Sequence, residues 1–234
     1  NPCPNCKETS HQRKCGTTIA GSQRYSCKHY KTKYTPEPKE RGYPDKLRHQ
    51  AIRLYLGGMN YRRIARHLQA HNPTVTNWVK SFAAQLPDAP LPQDWKTVEL
   101  DELFTFIETK KADHIVTAVD RETGCIVGWR VLWERTQNSF QALIDSSPRA
   151  RQYFSDEFPL YGTLVYYPGK LTISDGKAYT YSVEGVNAQL RHYLARLARR
   201  SRYFSRCPNA LAHTIKLFVF SHNSRQLHKH IFPK

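Results

Sequence analysis

The sequence lacks an apolar run of the roughly 18 residues that a membrane helix needs, and it lacks a signal-peptide pattern. We therefore expect a cytosolic protein without a membrane span. Acidic residues are also scarce, with 19 Asp and Glu against 36 Lys and Arg, for a formal net charge of +17. This balance indicates a polyanionic partner, and nucleic acid is the first candidate. The chain opens at Asn1 without a methionine, so we expect the natural N-terminus to lie further upstream.

The few acidic residues are concentrated in the middle of the chain. Residues 1–84 hold 16 basic and 4 acidic residues, residues 85–145 hold 6 and 11, and residues 146–234 hold 14 and 4. A protein that only coats DNA has no reason to keep an acidic centre. An enzyme that gathers metal cations between two DNA-binding surfaces does have one.

Four of the six cysteines fall within the first 27 residues, which in a cytosolic protein favours metal ligands over disulfides. Cys3, Cys6 and Cys27 have the spacing of a zinc ribbon, and we expect a small zinc-ribbon-like β module over residues 1–34. Tyr30 stands where a fourth cysteine would complete the tetrahedral site. Three side chains can supply the missing ligand of one structural zinc ion, the first being preferred: His29, Cys15 and His11. A ribbon that has lost its metal is the alternative.

Residues 45–84 are expected to form a three-helix module of the helix-turn-helix type. Apolar residues recur at helical spacing, Gly57-Gly58 ends the first helix, and Asn72-Pro73 is expected to cap and open the third. The outward-facing residues that can contact bases or phosphates are Arg62, Arg63, Thr74, Thr76, Asn77 and Lys80. A three-helix bundle without a DNA role is the alternative, and the arginines beside the turn favour DNA.

Residues 85–96 contain three prolines and are expected to form a stiff linker. Beyond the linker, residues 97–234 show the pattern of an α/β domain. The expected strands are 98–107, 114–119, 126–132, 153–155 and 171–173. The expected helices are 136–151 and a long one from Ser182, with a helical or mixed stretch over 158–167 between them.

The last of these helices carries Glu184 at the edge of an apolar stripe, and several arginines lie in and after it. The run from Ser182 to Leu197 resembles the glutamate helix of the Insertion Sequence One family of bacterial transposases. Further matches are Glu99-Leu100-Asp101-Glu102-Leu103, Arg135-Thr136, Ser155-Asp156-Glu157-Phe158-Pro159-Leu160-Tyr161, Arg199-Arg200-Ser201, Phe204-Ser205 and Gly21-x-Gln23-Arg24-Tyr25-x-Cys27. The resemblance covers nearly the whole chain.

The resemblance implies a ribonuclease-H-like catalytic domain in which Asp101, Asp156 and Glu184 form the metal-binding triad. Three carboxylates suit two Mg²⁺ or Mn²⁺ ions, the arrangement that supports in-line displacement at phosphorus. Asp175, which follows an apolar strand, is the alternative second carboxylate. Glu99 and Glu102 flank Asp101 on a strand, and because alternate residues point to opposite faces we expect them to face solvent or to support the site.

The sequence therefore predicts a DNA transposase of the Asp-Asp-Glu type, which cuts at insertion-element ends and joins the freed 3′-hydroxyl to target DNA. Expected partners are terminal inverted repeats, target DNA and further copies of the chain, in a bacterial cytoplasm close to the nucleoid. Arg191, Arg199 and Arg200 are candidate phosphate contacts, and Asn187 and Arg191 are placed to orient Glu184. A catalytically inactive DNA-binding regulator and a purely hydrolytic nuclease are the alternatives.

Overall fold

The computed structural model describes residues 2–18, 21–38, 43–94, 96–107, 111–147, 149–174, 178–198, 205 and 207–231. The chain divides into two compact units, Asn1–Leu47 and Arg48–Lys234. Within the described residues, no helix has both the length and the apolar character needed to cross a membrane.

The first unit is built on a small antiparallel sheet of three strands, β1 (Gln12–Thr17), β2 (Gln23–Cys27) and β3 (Lys33–Tyr34), in the order β1-β2-β3. The sheet has little apolar surface, and the residues it buries include Cys27 at the end of β2 and Cys3 in the loop before β1. The unit therefore buries two of the cysteines that the sequence singled out, whereas Cys6 and Cys15 are partly exposed.

Three helices follow: α1 (Asp45–Leu56), which crosses the division between the units, α2 (Tyr61–His67) and α3 (Asn72–Gln85). Gly58, with φ +91°, ends α1 in a conformation that glycine adopts without strain. The side chain of Asn60 caps α2 by accepting from the N–H of Arg63 at 3.0 Å. The expected cap of α3 was one residue off, because Asn72 is already helical and His71 occupies the cap position without a side-chain hydrogen bond.

The rest of the second unit contains a mixed five-stranded sheet in the order β6-β5-β4-β7-β8. Its strands are β4 (Thr97–Ile107), β5 (Lys111–Asp120), β6 (Ile126–Leu132), β7 (Gln152–Ser155) and β8 (Lys170–Ile173). The first three form an antiparallel meander, and β7 and β8 add to it in parallel. The central strand, β4, thus runs beside both β5 and β7.

Helices cover both faces of this sheet. Phe140, Leu143 and Ile144 of α4 (Gln137–Ser146) join Val98 and Leu100 of β4 in the core on one face. The opposite face carries α5 (Tyr181–Tyr193). Its Asn187 forms hydrogen bonds with Asp101 of β4 and Thr117 of β5, whose side chains point away from the α4 side of the sheet. A capping box between Thr136 and Ser139 starts α4, which ends at Ser146 rather than near residue 151 as expected.

A helix of 24 residues, α6 (Pro208–Ile231), was not expected from the sequence. It packs against β6 and also against α3, so apolar residues lie on more than one side and the one-sided periodicity of a surface helix is lost. The expected helical stretch over 158–167 reduces to a single 3₁₀ turn, Tyr161–Thr163, within an otherwise irregular segment.

The helix-turn-helix module is joined to α6 by specific hydrogen bonds. Tyr55 of α1 lies 3.1 Å from Thr214, hydroxyl to hydroxyl, and the ammonium of Lys216 donates to the carbonyl of Leu86 at 2.6 Å. Asn223, fully buried, donates both to the carbonyl of Pro90 and to that of Ile126 at 2.9 Å. The proline-rich linker is therefore fastened along α6 over part of its length.

Candidate active site

Asp101, Glu102 and Asp156 meet at one edge of the central strand. Each offers a carboxylate oxygen, and these oxygens all lie within 4.8 Å of one another. Asp101 and Glu102 belong to β4, and Asp156 comes directly after β7, which pairs in parallel with β4. That pairing ends at Glu99–Phe154. Among the described residues, Asp101 and Glu102 lie past the end of this ladder, so consecutive carboxylates can reach the same space.

Asp101 is held in one orientation by two donors. The side-chain amide of Asn187 on α5 donates to Oδ2 at 2.9 Å, and the N–H of Glu102 donates to Oδ1 at 2.7 Å. Asn187 is itself buried and accepts from the hydroxyl of Thr117 on β5 at 3.0 Å. A chain of hydrogen bonds from β5 through α5 thus fixes the carboxylate of Asp101.

Glu184, in the first turn of α5, lines the same cleft as the three carboxylates. The cleft measures about 1040 Å³ and is also lined by Asn187, Arg191 and His192. Glu184 lies outside the group whose oxygens are within 4.8 Å of one another, but its charge acts on Asp101 and helps raise the pKa of that carboxyl.

The start of α5 is anchored to β4 by Glu99. This fully buried carboxylate accepts from the N–H groups of Ser182 at 2.7 Å and Val183 at 2.9 Å, and it pairs with Arg121 at 2.7 Å. A negative charge at a helix N-terminus is stabilising because the first N–H groups have no partners within the helix. Glu99 therefore sets the position of the helix that carries Glu184 relative to the strand that carries Asp101.

Burial and the neighbouring negative charges raise the pKa values of the carboxyls on β4. Burial raises the pKa of Asp101, and the neighbouring Asp156 and Glu184 raise it further, against the opposing hydrogen bonds. Burial, reinforced by the charge of Asp156, raises the pKa of Glu102 to about 7, although Arg135 opposes the change. A divalent cation bound between these carboxylates would offset both the cost of burying their negative charge and their repulsion of one another.

Two buried polar atoms beside the cluster find no hydrogen-bond partner among the described residues: Oε1 of Glu102 and the hydroxyl of Tyr161. Tyr161 is almost fully buried, and its pKa is raised by burial and then by the charge of Glu102. Buried oxygens without partners cost free energy unless something else satisfies them. The carboxylate oxygens of the cluster are hard donors of the kind that Mg²⁺ or Mn²⁺ binds.

The two glutamates that flank Asp101 were expected to face solvent or to support the site, and neither is exposed in the structure. Glu99 is not solvent-facing but fully buried, and Glu102 is partly buried and belongs to the carboxylate group. Neither role has a signal in the neighbouring residues, since Glu99 contacts the start of α5 and Glu102 meets Asp156 after β7. Asp175, the alternative second carboxylate, lies outside the described residues.

A second group of potential metal ligands lies in the first unit, where Cys3, Cys6 and Cys27 each place a sulfur within 4.8 Å of the others. The sulfurs of Cys6 and Cys27 are 3.8 Å apart. The backbone N–H of Cys6 holds the pKa of Cys3 below its usual value, which favours the thiolate that metals bind. His29 is exposed, packs edge-on against Tyr30 and is not part of this group.

The residues expected to contact DNA lie on α2, on α3 and in the carboxylate cleft, and two of them fall outside the described residues. Arg62 and Arg63 on α2 and Asn77 and Lys80 on α3 are exposed. Thr74 and Thr76 are partly buried, and the hydroxyl of Thr76 donates to the carbonyl of Asn72 at 3.0 Å. Arg191 lines the carboxylate cleft, and Arg199 and Arg200 lie outside the described residues.

Comparison with known families adds to this geometry. Residues 96–224 match the model of the family described as IS1 transposase, and residues 44–90 match that of the homeodomain-like domain. No curated protein matches the chain. The first match contains every carboxylate of the cleft, and the second contains α2 and α3.

Proposed function

Because the chain belongs to the IS1 transposase family, whose model matches more than half of its residues, we propose that it cuts DNA at insertion-element ends and joins the freed ends to target DNA. The observation that carries this proposal is the cleft in which Asp101, Asp156 and Glu184 lie together, with Glu102 beside them. The sheet order, with an antiparallel meander extended by two parallel strands, supports a ribonuclease-H-like assignment for residues 97–234.

The proposed division of labour follows the segments of the chain. Residues 1–34 form a zinc-ribbon-like module, residues 45–84 recognise the terminal inverted repeats, residues 85–96 connect, and residues 97–234 catalyse. Exposed Arg62, Arg63 and Lys80 suit phosphate contacts, and exposed Asn77 suits a base edge in the major groove. The protein would act as a homo-oligomer on DNA in the bacterial cytoplasm, because two ends must be cut and joined.

In the proposed reaction, Asp101, Asp156 and Glu184 hold divalent metal, with Glu102 as an additional oxygen donor. Magnesium or manganese, expected as a pair of ions, would supply activation of the attacking oxygen and stabilisation of the leaving one. Asn187 and the N–H of Glu102 keep the Asp101 carboxylate in its binding orientation. Glu99 keeps α5 in place, and Arg191 in the cleft is suited to a phosphate oxygen.

The test is a strand-cleavage and joining assay on end-containing duplex DNA with Mg²⁺ or Mn²⁺. Asp101→Asn, Asp156→Asn and Glu184→Gln should each reduce cleavage by a factor on the order of 10³ or more while leaving DNA binding intact. Asp145→Asn, which changes an exposed carboxylate on α4, is the matched control and should cleave normally.

Three outcomes separate the alternatives. Nicked DNA without joined products indicates a nuclease, and tight end binding without any cleavage indicates a DNA-binding regulator. An inactive Asp175→Asn beside an active Asp156→Asn would transfer the second carboxylate to Asp175.

A further inference from the structure

An arginine surrounded by aromatic rings lies at the start of α5. The guanidinium carbon of Arg121 is 4.3 Å from the ring centroid of Phe154, 5.8 Å from that of Tyr179 and 5.6 Å from that of Tyr181. Arg121 also pairs with the buried Glu99 and donates to the carbonyl of Tyr179 at 2.5 Å. Glu99 and the Tyr179 carbonyl thus hold the guanidinium in place, and cation–π attraction holds the three rings around it.

The two tyrosines remain substantially open to solvent. Tyr179 stacks on Phe154 with centroids 5.1 Å apart and planes inclined by 17°, yet it is 49% exposed. A ring with one face covered by Phe154 and the other face open to solvent accounts for this exposed fraction of Tyr179. Tyr181 is 60% exposed. Each tyrosine therefore exposes part of its ring to solvent while lying against Arg121, which is itself anchored to the sheet through Glu99.

The two tyrosines flank, in the chain, a residue that lines the carboxylate cleft, and their rings are called the rim below. Thr180, between the two tyrosines in the chain, is buried and lines the cleft, and Glu184 follows Tyr181 by three positions in the first turn of α5. A DNA strand with a phosphate among the carboxylates would bring an adjacent nucleotide within reach of the rim.

The chemistry of the rim selects the occupant. Open aromatic faces bind flat π-systems, and base–aromatic stacking tolerates any sequence because every base has such a face. Bases inside a duplex have both faces covered by their neighbours, so an unpaired base fits and a paired one does not. The chain's net charge of +17 makes a nucleic-acid strand the favoured source of that base.

We propose that Tyr179 and Tyr181, supported by Arg121 and Phe154, form a stacking surface for an unpaired base of the DNA strand that enters the carboxylate cleft. This inference rests on the proposed function, since the strand in the cleft is its substrate. It adds a contact that separates a base from its neighbours next to the phosphate being attacked.

The test combines removal of a ring with removal of a base. The full chain, with Mg²⁺ present, is titrated with fluorescently labelled single-stranded oligodeoxyadenosine and with an oligonucleotide of the same length that carries abasic sites, neither of which contains an element end. Wild-type protein should prefer the base-carrying strand. Tyr181→Ala and Tyr179→Ala should each reduce that preference by about 5-fold to 100-fold, with affinity for the abasic strand unchanged.

Two controls keep this test specific. Tyr181→Phe retains the ring and should retain the preference, and Tyr167→Ala removes a tyrosine that is 81% exposed on the loop before β8 and should also retain it. Equal weakening of both oligonucleotides by Tyr181→Ala, or no weakening of either, would overturn the stacking surface.

A second measurement does not depend on affinity. Photocrosslinking with strands that carry 5-iododeoxyuridine should attach DNA to the peptide that contains Tyr179 and Tyr181, and attachment elsewhere alone would contradict the proposal. Normal cleavage without any base-dependent binding would refute the stacking surface and leave the transposase proposal standing. Base-dependent binding through these tyrosines without any cleavage would refute the transposase proposal and leave a DNA-stacking surface standing.

Discussion

Replacing Glu102 with glutamine is expected to stabilise the metal-free protein at alkaline pH and to change little near pH 4.5. The pKa of Glu102 is raised from 4.5 to about 7 in the folded protein, mainly by burial. Below pH 4.5 the carboxyl is neutral in both the folded and unfolded states. As the pH rises from 4.5 to 7, the unfolded chain loses this proton first, so the free energy of unfolding falls through that window and stays lower above it.

The size of the effect follows from the same values. A difference between 4.5 and about 7 corresponds to an upper limit of about 3 kcal/mol, at 1.36 kcal/mol for each pKa unit. Because Glu102 is only partly buried, solvent screening reduces this to about 1–2 kcal/mol. The melting temperature of Glu102→Gln at pH 8.5 should therefore exceed that of the wild type by about 2–8 °C.

The assay is thermal unfolding in the presence of a chelator, with wild type and Glu102→Gln compared at each pH. Asp145→Asn is the control, because its exposed carboxylate pairs with Arg149 at 2.7 Å and its loss should destabilise slightly, by about 0.5 kcal/mol. A stability difference for Glu102→Gln that is the same at pH 4.5 and 8.5, or that is negative at pH 8.5, would refute the reasoning from charge and burial.

Three further changes test other parts of the molecule. Glu99→Ala leaves the first N–H groups of α5 and the Arg121 guanidinium without their carboxylate, so strand cleavage should fall at least about tenfold while end binding persists; unchanged cleavage would show that α5 is positioned by other contacts. Lys80→Ala should weaken binding to all DNA similarly, whereas Asn77→Ala should mainly reduce discrimination for end sequence; equal effects of the two would contradict these roles. Protein purified without chelators should contain close to one equivalent of zinc by metal analysis, and Cys6→Ser should lose most of it; less than about one tenth of an equivalent in the wild type would exclude the metal.

The sequence was most informative where the pattern is local. The apolar run after Gly124 predicted β6 at Ile126–Leu132 with the bounds that the structure shows, and the spacing of apolar residues predicted helices at α1, α2 and α3. It failed at α6, because a helix that packs against both a sheet and another helix has no single apolar stripe.

The carboxylates also differ in how much of their role the sequence could predict. Asp101, Asp156 and Glu184 were selected through the family resemblance, and the structure brings all three to one cleft. Glu99 and Glu102 were assigned by strand alternation alone, which takes no account of what covers each face or of where a neighbouring strand ends. Their environments depend on α5 and on the end of the β4–β7 pairing, and neither is written in the residues next to them.

The attachment of α1 and of the proline-rich segment to α6 has a consequence for the DNA itself. Tyr55, Leu86 and Pro90 all form hydrogen bonds with α6, which also packs on β6, so α1 and the linker are tied to the sheet that carries Asp101. If residues 45–84 recognise the DNA as proposed, the protein itself would set the distance between the recognised sequence and the cut. Inserting half a helical turn of DNA between the recognised sequence and the element's end would put the scissile phosphate on the wrong side of the duplex, whereas a full turn would restore its facing but not its reach.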